Sequence, residues 1–363
     1  MITNMKIILT GGGTAGHVTP NIALLKGLKQ MGFQEIHYIG SENGIEKNLT
    51  AEYPEIQYHS IRTGKLRRYF SVKNFTDPFR VLAGCGDAKK LMKEIRPDVV
   101  FSKGGFVAVP VVWAAHHYKI PVVAHESDIT PGLANKLSKR YATRICLNFP
   151  DALKEIPAPL GIYTGTPIRE TLFSGDKERA RRKLGFDSKK VIMVMGGSLG
   201  ARAINQAVRK ALPRLLPEYN IIHLCGKGNL EESLKDTAGY RQFEFVSEDL
   251  PDCFSLTDLI VSRAGANAIH EFMALKKPML LIPLPLSASR GDQILNAKSF
   301  ESRGIALVLN EEQLNTDTLV KGIGYLEQDS GTMIRKMSED CITDGTQKVL
   351  EVIKEAAFKT ARQ

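Results

Sequence analysis

Two segments of this 363-residue chain repeat one pattern, in which an apolar run is followed by a glycine-rich loop and a helical pattern. The first segment reads KIILTGGGTAGH from residue 6, and the second reads VIMVMGGSLGAR from residue 191. A strand, a glycine loop and a helix open a Rossmann-like unit, where a ligand approaches the backbone and the helix N-terminus favours an anion. The repeat therefore predicts two tandem Rossmann-like halves.

Both halves continue as short apolar runs that alternate with helical patterns. Such alternation predicts an α/β fold with parallel sheets that helices cover on both faces. A chain of 363 residues also exceeds one ordinary hydrophobic core. A polar, proline-rich stretch at residues 150–167 suggests the boundary. We expect two Rossmann-like domains with a cleft between them, at residues 1–166 and 167–344, followed by a helix at residues 345–363.

Composition narrows the possible partners and compartment. Lysine and arginine outnumber aspartate and glutamate by 49 to 39, and this excess favours an anionic partner such as nucleic acid, a membrane or a phosphorylated substrate. The five cysteines show no CxxC spacing, so neither a disulfide framework nor a zinc site is indicated, and a reducing cytoplasm is expected. No apolar run reaches the roughly 18 residues of a spanning helix, which leaves peripheral membrane contact.

The stretch at residues 259–297 carries the most specific chemistry. An apolar run leads into the small residues Ala264, Gly265 and Ala266, and a helical pattern follows. This arrangement predicts a phosphate at the helix N-terminus, and Glu271 lies one turn further on, within reach of a ribose. A second strand ends in a polar loop before Gln293, which could bind a sugar. The alternative is an ordinary βαβ unit with a salt-bridged glutamate.

Three loops of the first half also follow predicted strands. Gly11, Gly13 and Gly16 satisfy GxGxxG, so an NAD-dependent oxidoreductase is one alternative. Glu42 stands about thirty residues after that loop begins, whereas a dinucleotide site places its ribose acid about twenty residues on. Residues 102–106 and 125–136 form the other two loops, at the strand ends where open α/β sheets bind ligands. Plain helix-capping turns are the alternative for both.

Six motifs, in order along nearly the whole chain, resemble the MurG family of bacterial glycosyltransferases. They read GGGTAGHVTP, SKGGFVAVP, HESDITPGLANK, GTPIR, GGSLGAR, and SRAGANAIHE followed by DQILNA. The resemblance implies a GT-B fold and inverting transfer of N-acetylglucosamine from UDP-GlcNAc to undecaprenyl-linked lipid I, which forms lipid II in peptidoglycan synthesis. It also implies a peripheral protein on the cytoplasmic face of the bacterial cell membrane. Two departures are Ser127-Asp128, where the family commonly has Gln-Asn, and Asp292-Gln293, where a Gln-Gln pair often stands.

The same resemblance assigns binding roles to individual residues. UDP-GlcNAc would contact eleven positions, namely Thr14, Ala15, Gly16, Arg169, Ser198, Val246, Ala266, Asn267, Ala268, Glu271 and Gln293. The acceptor would contact Gly104, Gly105 and Asn135. In this fold the terminal helix crosses back to the first domain. These roles are expectations that follow from the family motifs.

The transfer needs a base and stabilisation of the departing diphosphate. His17 is the first candidate base because an imidazole titrates near neutral pH, and Asp128 and Glu126 are its rivals. A structural role in fixing the loop is the alternative for His17. The chain has no Asp-x-Asp pair and no metal-ligand spacing among its histidines, so we expect neither a metal nor a cofactor. Helix N-termini and Arg169 would stabilise the leaving group.

Cations and apolar residues are interleaved from residue 65 to residue 80. Leu66, Tyr69 and Phe70 fall on one face of a possible helix, beside Arg67 and Arg68, and predict docking on an anionic inner-leaflet membrane surface. The alternative is a solvated helix with its apolar face in the core. No fold motif supports nucleic-acid binding. The function classes that remain are a UDP-sugar transferase, a UDP-GlcNAc epimerase or glycolipid transferase of the same fold, an NAD-dependent oxidoreductase, and a basic binding protein.

Overall fold

The structure is a computed structural model that describes residues 5–64, 73–197, 200–340 and 344–360. The chain divides into two compact units. The first unit comprises Met1–Arg169 and Asp344–Gln363, and the second comprises Glu170–Thr343. Each unit is built around its own parallel sheet, so the predicted α/β class is confirmed.

The first unit contains a seven-stranded sheet with the order β3-β2-β1-β4-β5-β6-β7, and all its pairings are parallel. Its strands are β1 Met5–Thr10, β2 Phe33–Ser41, β3 Ile56–Ile61, β4 Val99–Ser102, β5 Val122–Glu126, β6 Arg144–Leu147 and β7 Gly161–Tyr163. Its helices before the second unit are α1 Thr19–Ala23, α2 Leu25–Gln30, α3 Ile45–Thr50, α4 Lys73–Ile95, α5 Ala108–His117 and α6 Leu133–Ser138.

The second unit contains a six-stranded parallel sheet with the order β10-β9-β8-β11-β12-β13. Its strands are β8 Lys190–Met195, β9 Tyr219–Leu224, β10 Tyr240–Phe243, β11 Leu259–Ser262, β12 Met279–Leu281 and β13 Leu307–Val308. Its helices are α7 Lys177–Leu184, α8 Arg202–Leu215, α9 Leu250–Leu256, α10 Ala266–Ala274, α11 Asp292–Ser302 and α12 Thr316–Glu339. The last helix of the chain, α13 Thr346–Thr360, belongs to the first unit.

Alternate residues of β1 supply the two faces of the first core. Ile7 and Leu9 are buried on the face that α2 and α13 cover, whereas Ile8 is buried in a second cluster with α4 and α5. Strands buried on both faces read as continuous apolar runs, as KIILT does. The terminal helix is part of this core, because a Cβ at Gly27 would come within 2.2 Å of Leu350. A side chain at position 27 would therefore require Leu350 to move.

One strand prediction is wrong, and two elements carried no clear signal. The apolar residues of the run FEFV predict a strand at residues 243–246, but β10 is Tyr240–Phe243 and ends where that run begins. Phe245 is 72% exposed, and Val246 is buried in the loop after the strand. The run FEFV is an ambiguous signal because Phe245 faces solvent whereas Val246 is buried. Neither the short strand β6, which lies next to the edge strand β7, nor the long helix α12 was predicted from the sequence.

Candidate functional site

The loops singled out from the sequence lie at the carboxyl ends of the parallel strands, on either side of the strand-order reversal in each sheet. In the first sheet this reversal falls between β1 and β4, and in the second between β8 and β11. Open α/β sheets bind ligands at this position because the loops diverge there and leave a crevice. The two sheets therefore offer one candidate site each.

Glu46 occupies the space behind the first glycine loop. Its fully buried carboxylate accepts hydrogen bonds from the backbone N–H of Ser41 at 2.9 Å and of Gly13 at 3.3 Å. A Rossmann dinucleotide site presents such loop N–H groups to a pyrophosphate. Here a carboxylate already accepts from the loop, and its charge would repel that anion. The loop then enters a short 3₁₀ turn, Ala15–His17, and the five-residue helix α1, which also opposes the NAD alternative.

His17 is oriented by the same loop. Its Nδ1 lies 3.0 Å from the carbonyl oxygen of Gly12 and 3.2 Å from Oγ1 of Thr14. A carbonyl only accepts, so Nδ1 carries the proton and the lone pair is on Nε2. Burial, followed by the positive charge of Lys103, lowers the pKa of His17 to about 4. The imidazole is therefore neutral at pH 7 and can accept a proton at Nε2.

The loop after β4 packs directly against the first glycine loop. Gly104 and Gly105 both have positive φ angles, +87° and +83°, which L-residues with side chains rarely adopt. A Cβ at Gly105 would lie 2.4 Å from the carbonyl oxygen of Gly12, and one at Gly104 would lie 3.3 Å from Oδ1 of Asn135. The structure therefore brings all three predicted acceptor-site residues together beside the loop that carries His17.

The loop after β5 is organised by Glu126. Its buried carboxylate accepts from Nδ2 of Asn135 at 2.8 Å and from the backbone N–H groups of Asp128 and Gly132 at 3.1 and 3.0 Å. Burial raises the pKa of Glu126, while these donors favour the ionised form. Both carboxylate oxygens hold the loop, so Glu126 has a structural role here. Asp128, its neighbour in the motif, is half-buried.

Lys103 belongs to the same cluster, although the sequence analysis did not select it. Its Nζ lies 2.8 Å from Nδ1 of His125 and also donates to Oγ of Ser127. The side chain is 1% exposed, and desolvation lowers its pKa to about 8, against the charges of Glu126 and Asp128. The available signal was a lysine directly after a buried strand and directly before two glycines, where a solvated cation is not expected.

The second unit presents an open helix N-terminus. Gly265 caps α10 and has no side chain to satisfy the first N–H groups, and a Cβ built on it would meet no atom within 4 Å. Ala266 is buried, whereas Asn267, Ala268 and Glu271 are half-buried. Glu271 lies three positions after Ala268 and four after Asn267, so it shares a helix face with each of them. Backbone donors, open space and a carboxylate one turn away are thus combined, as the sequence predicted.

Two side chains that the sequence analysis did not select fix the loops around this helix. The buried guanidinium of Arg263 donates to the carbonyl oxygens of Ile282 at 3.1 Å and Pro283 at 3.3 Å, and it pairs with Glu311. The buried Asn296 donates to the carbonyl oxygen of Ala264 at 3.2 Å. Arg263 thereby joins the ends of β11 and β12, and Asn296 joins the end of β11 to α11. An arginine after an apolar strand and an asparagine on a helix gave no distinctive pattern.

The remaining predicted donor residues occupy several different places. Gln293 is half-buried at the start of α11, and its Oε1 accepts from the backbone N–H of Leu284 at 3.1 Å. Val246 lines a cavity of about 330 Å³ in the second unit, together with Phe243 and Cys253. Arg169 is half-buried in the first unit, where its charge acts on Tyr53.

Thr14, Ala15 and Gly16 also lie in the first unit, where Thr14 is exposed and the other two are half-buried. The second glycine loop places Gly197 against open space, since a Cβ there meets no atom within 4 Å. Ser198, the donor contact predicted in that loop, lies outside the described residues. The same holds for the predicted membrane residues Leu66, Arg67, Arg68, Tyr69 and Phe70.

The described residues contain neither a candidate metal-binding cluster nor a candidate membrane-spanning helix. In residues 5–64, 73–197, 200–340 and 344–360, no group of three or more His, Cys, Asp or Glu side chains could hold a metal ion. Within those same ranges, no helix has the length and apolar character needed to cross a bilayer.

Comparison with known proteins defines the class first. The glycosyltransferase family 28 N-terminal domain matches residues 7–147, and the glycosyltransferase family 28 C-terminal domain matches residues 191–355. The protein is therefore a two-domain glycosyltransferase of family 28; the N-terminal match lies within the first unit, and the C-terminal match covers most of the second unit and extends into α13 of the first. Its sites at the strand ends are in keeping with that class.

Individual relatives narrow the class further. A Clostridium perfringens UDP-N-acetylglucosamine–N-acetylmuramyl-(pentapeptide) pyrophosphoryl-undecaprenol N-acetylglucosamine transferase is 56% identical over 353 residues, which cover 97% of this chain and 98% of that protein. The crystal structure of Acinetobacter baumannii MurG superimposes with a TM-score of 0.75 at 28% identity, covering 97% and 99% of the two chains. The chain belongs to the MurG family, and the resemblance read from its motifs is confirmed.

A more distant structure shares the fold alone. A UDP-GlcNAc 2-epimerase from Neisseria meningitidis superimposes with a TM-score of 0.68 at 14% identity, and the match covers 98% of this chain and 100% of that one. The two-domain architecture thus serves more than one chemistry.

Proposed function

We propose that this protein transfers N-acetylglucosamine from UDP-GlcNAc to the MurNAc 4-hydroxyl of undecaprenyl-linked lipid I and so forms lipid II in peptidoglycan synthesis. The observation that carries the proposal is the open N-terminus of α10, where Gly265 faces empty space and Glu271 stands one turn away. The 56% identity to a relative named for this reaction supports the choice of donor and acceptor.

The donor would be held mainly by the second unit. The N–H groups at the start of α10, at Ala266, Asn267 and Ala268, would bind the diphosphate, because a helix N-terminus carries partial positive charge. Glu271 would accept from the ribose hydroxyls. Val246 would contact the uracil. The fixed amide of Gln293 supports a role at the sugar.

Further donor contacts follow from the family motifs. Arg169 and Ser198 would hold the donor, as would the backbone at Thr14, Ala15 and Gly16. A loop conformation with the positive φ of Gly13, +89°, supports close backbone approach there. The acceptor would lie against Gly104, Gly105 and Asn135, which pack beside the first glycine loop.

The reaction proposed is a single displacement at the anomeric carbon. The acceptor hydroxyl would give its proton to Nε2 of His17 as its oxygen bonds to the anomeric carbon, and the bond from that carbon to the diphosphate would break from the opposite face. The configuration inverts, and UDP leaves with both electrons of the broken bond. The neutral state and fixed tautomer of His17 support this role. Asp128 is the second candidate base, since Glu126 is engaged in holding its loop.

A lipid-linked acceptor requires the protein to meet a membrane surface, and we place it on the cytoplasmic face of the cell membrane as a peripheral protein. Three exposed apolar side chains of the first unit support this: Leu82 on α4, 66% exposed, and Leu133 and Leu137 on α6, 52% and 40% exposed. The exposed cations Lys136 and Arg140 lie beside the latter two. Cations near an anionic leaflet each contribute about 1 kcal/mol.

The membrane contact can be separated from catalysis. Arg67→Glu combined with Arg68→Glu should sharply reduce co-sedimentation with anionic vesicles, most clearly at low salt, because exposed charges are screened over about 10 Å at 0.1 M. Turnover of a short-chain, water-soluble lipid I analogue should be nearly unchanged. Equal vesicle binding by variant and parent would remove the membrane role of this segment.

The function itself is tested by incubation with UDP-GlcNAc, with and without a soluble lipid I analogue. We expect UDP release that depends on the analogue. Release without acceptor, or conversion of UDP-GlcNAc into its C2 epimer, would instead favour the epimerase alternative that shares this fold. Tight NAD binding with no UDP affinity would favour an oxidoreductase.

A further inference from the structure

Lys103 stands at the point where three loops of the first unit meet. Its backbone N–H donates to the carbonyl oxygen of Thr10 at 2.8 Å, which joins the ends of β1 and β4. A Cβ at Gly11 would lie 3.1 Å from the Cβ of Lys103. Its Nζ reaches across the loop after β5 to His125 and Ser127. Through its backbone and its side chain together, Lys103 therefore links the three loops that carry the candidate acceptor site.

The ammonium of Lys103 has two hydrogen-bond acceptors with defined orientations. Nε2 of His125 lies 3.1 Å from the carbonyl oxygen of Gly165 and donates to it, so Nδ1 is the acceptor for the Lys103 ammonium. Oγ of Ser127 is the second acceptor. Burying an ammonium is costly unless hydrogen bonds and opposite charges compensate. The fold thus keeps a cation here at an energetic cost, which a purely apolar side chain would avoid.

The Ser127-Asp128 segment is linked to Lys103 in two ways. Ser127 accepts a hydrogen bond from the ammonium of Lys103. Asp128 is the neighbouring acidic group, whose backbone N–H donates to Glu126 and whose charge interacts with that of Lys103. The lysine and this dipeptide are therefore physically coupled.

We infer that Lys103 is a positioning residue for the transfer reaction: its ammonium holds the Ser127-Asp128 segment against the first-unit loops at residues 11–16 and 104–105 and places a positive charge within electrostatic reach of His17. The inference rests on the proposed function and adds a residue that no motif role assigns. Lys103 does not itself exchange a proton with the substrate. It acts through the segment and the imidazole that it orients.

The titratable groups around Lys103 determine the direction of the expected effects. His17 faces it from the first loop and Cys146 from β6, while His125, Glu126 and Asp128 face it from the end of β5 and its loop. Glu46 acts on His17 from α3 and opposes Lys103. The cation lowers the pKa of His17, so its removal must raise that pKa. Since the pKa of Lys103 is about 8, deprotonation in the parent enzyme should loosen the segment above that pH.

The test is a pH–rate profile of kcat for the parent and for Lys103→Met, which keeps an unbranched side chain one atom shorter and removes its charge. We expect the parent kcat to fall above about pH 8 and the variant to lack this alkaline limb. The acid limb of the variant should move to higher pH. Its kcat should be about ten- to a hundredfold lower at pH 7, the range that misplaced catalytic groups produce, with little change in KM for UDP-GlcNAc.

Lys277 supplies a matched control. It is also a lysine whose pKa is lowered chiefly by burial, and its Nζ donates to the carbonyl oxygen of Thr257 at 2.7 Å in the second unit. Lys277 directly precedes β12 and therefore lies at the amino ends of the parallel strands, whereas the predicted donor loops lie at their carboxyl ends. Lys277→Met should reduce stability and keep the parent pH profile. A general effect of losing a buried lysine would therefore be visible in the control.

A milder variant covers the case in which Lys103→Met does not fold. Ser127→Ala removes one acceptor of the ammonium, so the charged form is less stabilised and the alkaline limb should move to lower pH. An alkaline limb that stays unchanged in Ser127→Ala, or a Lys103→Met profile and kcat within twofold of the parent, would overturn the inference. Failure of the parent to transfer sugar at all would instead overturn the proposed function.

Discussion

Replacement of Gly265 by alanine tests the predicted diphosphate position without disturbing the fold. Gly265 has φ −69° and ψ 128°, angles that alanine adopts readily, and its added Cβ would meet no protein atom within 4 Å. Gly→Ala at such a site gains about 0.4 to 1 kcal/mol through the unfolded state. Alanine is a poorer N-cap than glycine by a similar amount. We therefore expect the stability of Gly265→Ala to stay within about 1 kcal/mol of the parent.

UDP affinity should change much more than stability does. The new methyl group would point into the space where a phosphate approaches the N–H groups of α10. Loss of one charge-assisted hydrogen bond costs about 1.5 to 3 kcal/mol. At about 1.4 kcal/mol per tenfold change, UDP should bind roughly ten- to a hundredfold more weakly. Calorimetric titration with UDP measures this directly, and urea unfolding monitors stability.

Gly331→Ala is the matched control. Gly331 is exposed in α12, and a Cβ there also meets no atom within 4 Å. Alanine in a helix interior should stabilise by up to about 1 kcal/mol and leave UDP binding unchanged. If Gly265→Ala binds UDP as tightly as the parent and unfolds at the same urea concentration, the diphosphate does not lie at the N-terminus of α10.

Three further predictions concern the donor, the metal and pH. Glu271→Ala should weaken UDP binding by several-fold to about a hundredfold, because a charged hydrogen bond is lost, and unchanged affinity by calorimetry would contradict the ribose role. Transfer should survive EDTA, whereas complete loss with full rescue by magnesium or manganese would show a metal requirement. Burial lowers the pKa of His223 to about 3, so between pH 6.5 and 3 the unfolded state binds a proton that the native state does not. The free energy of unfolding must then fall as pH falls, by about 2 kcal/mol for such a histidine from pH 7.5 to 5.0. Urea unfolding at the two pH values should show this loss in the parent, and His223→Gln should lose about 2 kcal/mol less. Equal losses in parent and variant would refute the assignment.

Local sequence patterns predicted the fold well because they are set by short-range physics. The runs IIL, within KIILT, and VIMVM are continuously apolar because β1 and β8 are central strands buried on both faces. Glycines that follow them mark the loops because positive φ and close approach leave few alternatives, as at Gly105. Edge elements gave weaker signals: β10 pairs on one side only, and its prediction was displaced by three residues.

The candidate site was less accessible to sequence reasoning, because its supporting contacts join residues far apart in the chain. Lys103 and Ser127 are 24 positions apart, and Arg263 lies 19 positions before the carbonyl group to which it donates. No periodicity connects such pairs. Residue type alone also says little about surroundings: the carboxylate of Glu126 made it a candidate base, which stays a prediction, and only the structure shows that this carboxylate accepts three hydrogen bonds. Contact geometry, more than residue chemistry, assigns these roles.

The most direct measurement of the central claim is the product of one reaction with UDP-GlcNAc and a soluble lipid I analogue, analysed by mass spectrometry and by NMR of the new linkage. The account predicts that the analogue gains a single N-acetylhexosamine on the MurNAc 4-hydroxyl, with the configuration at the anomeric carbon inverted relative to the donor. An unmodified analogue beside consumed UDP-GlcNAc, or a linkage that retains the donor configuration, would contradict it.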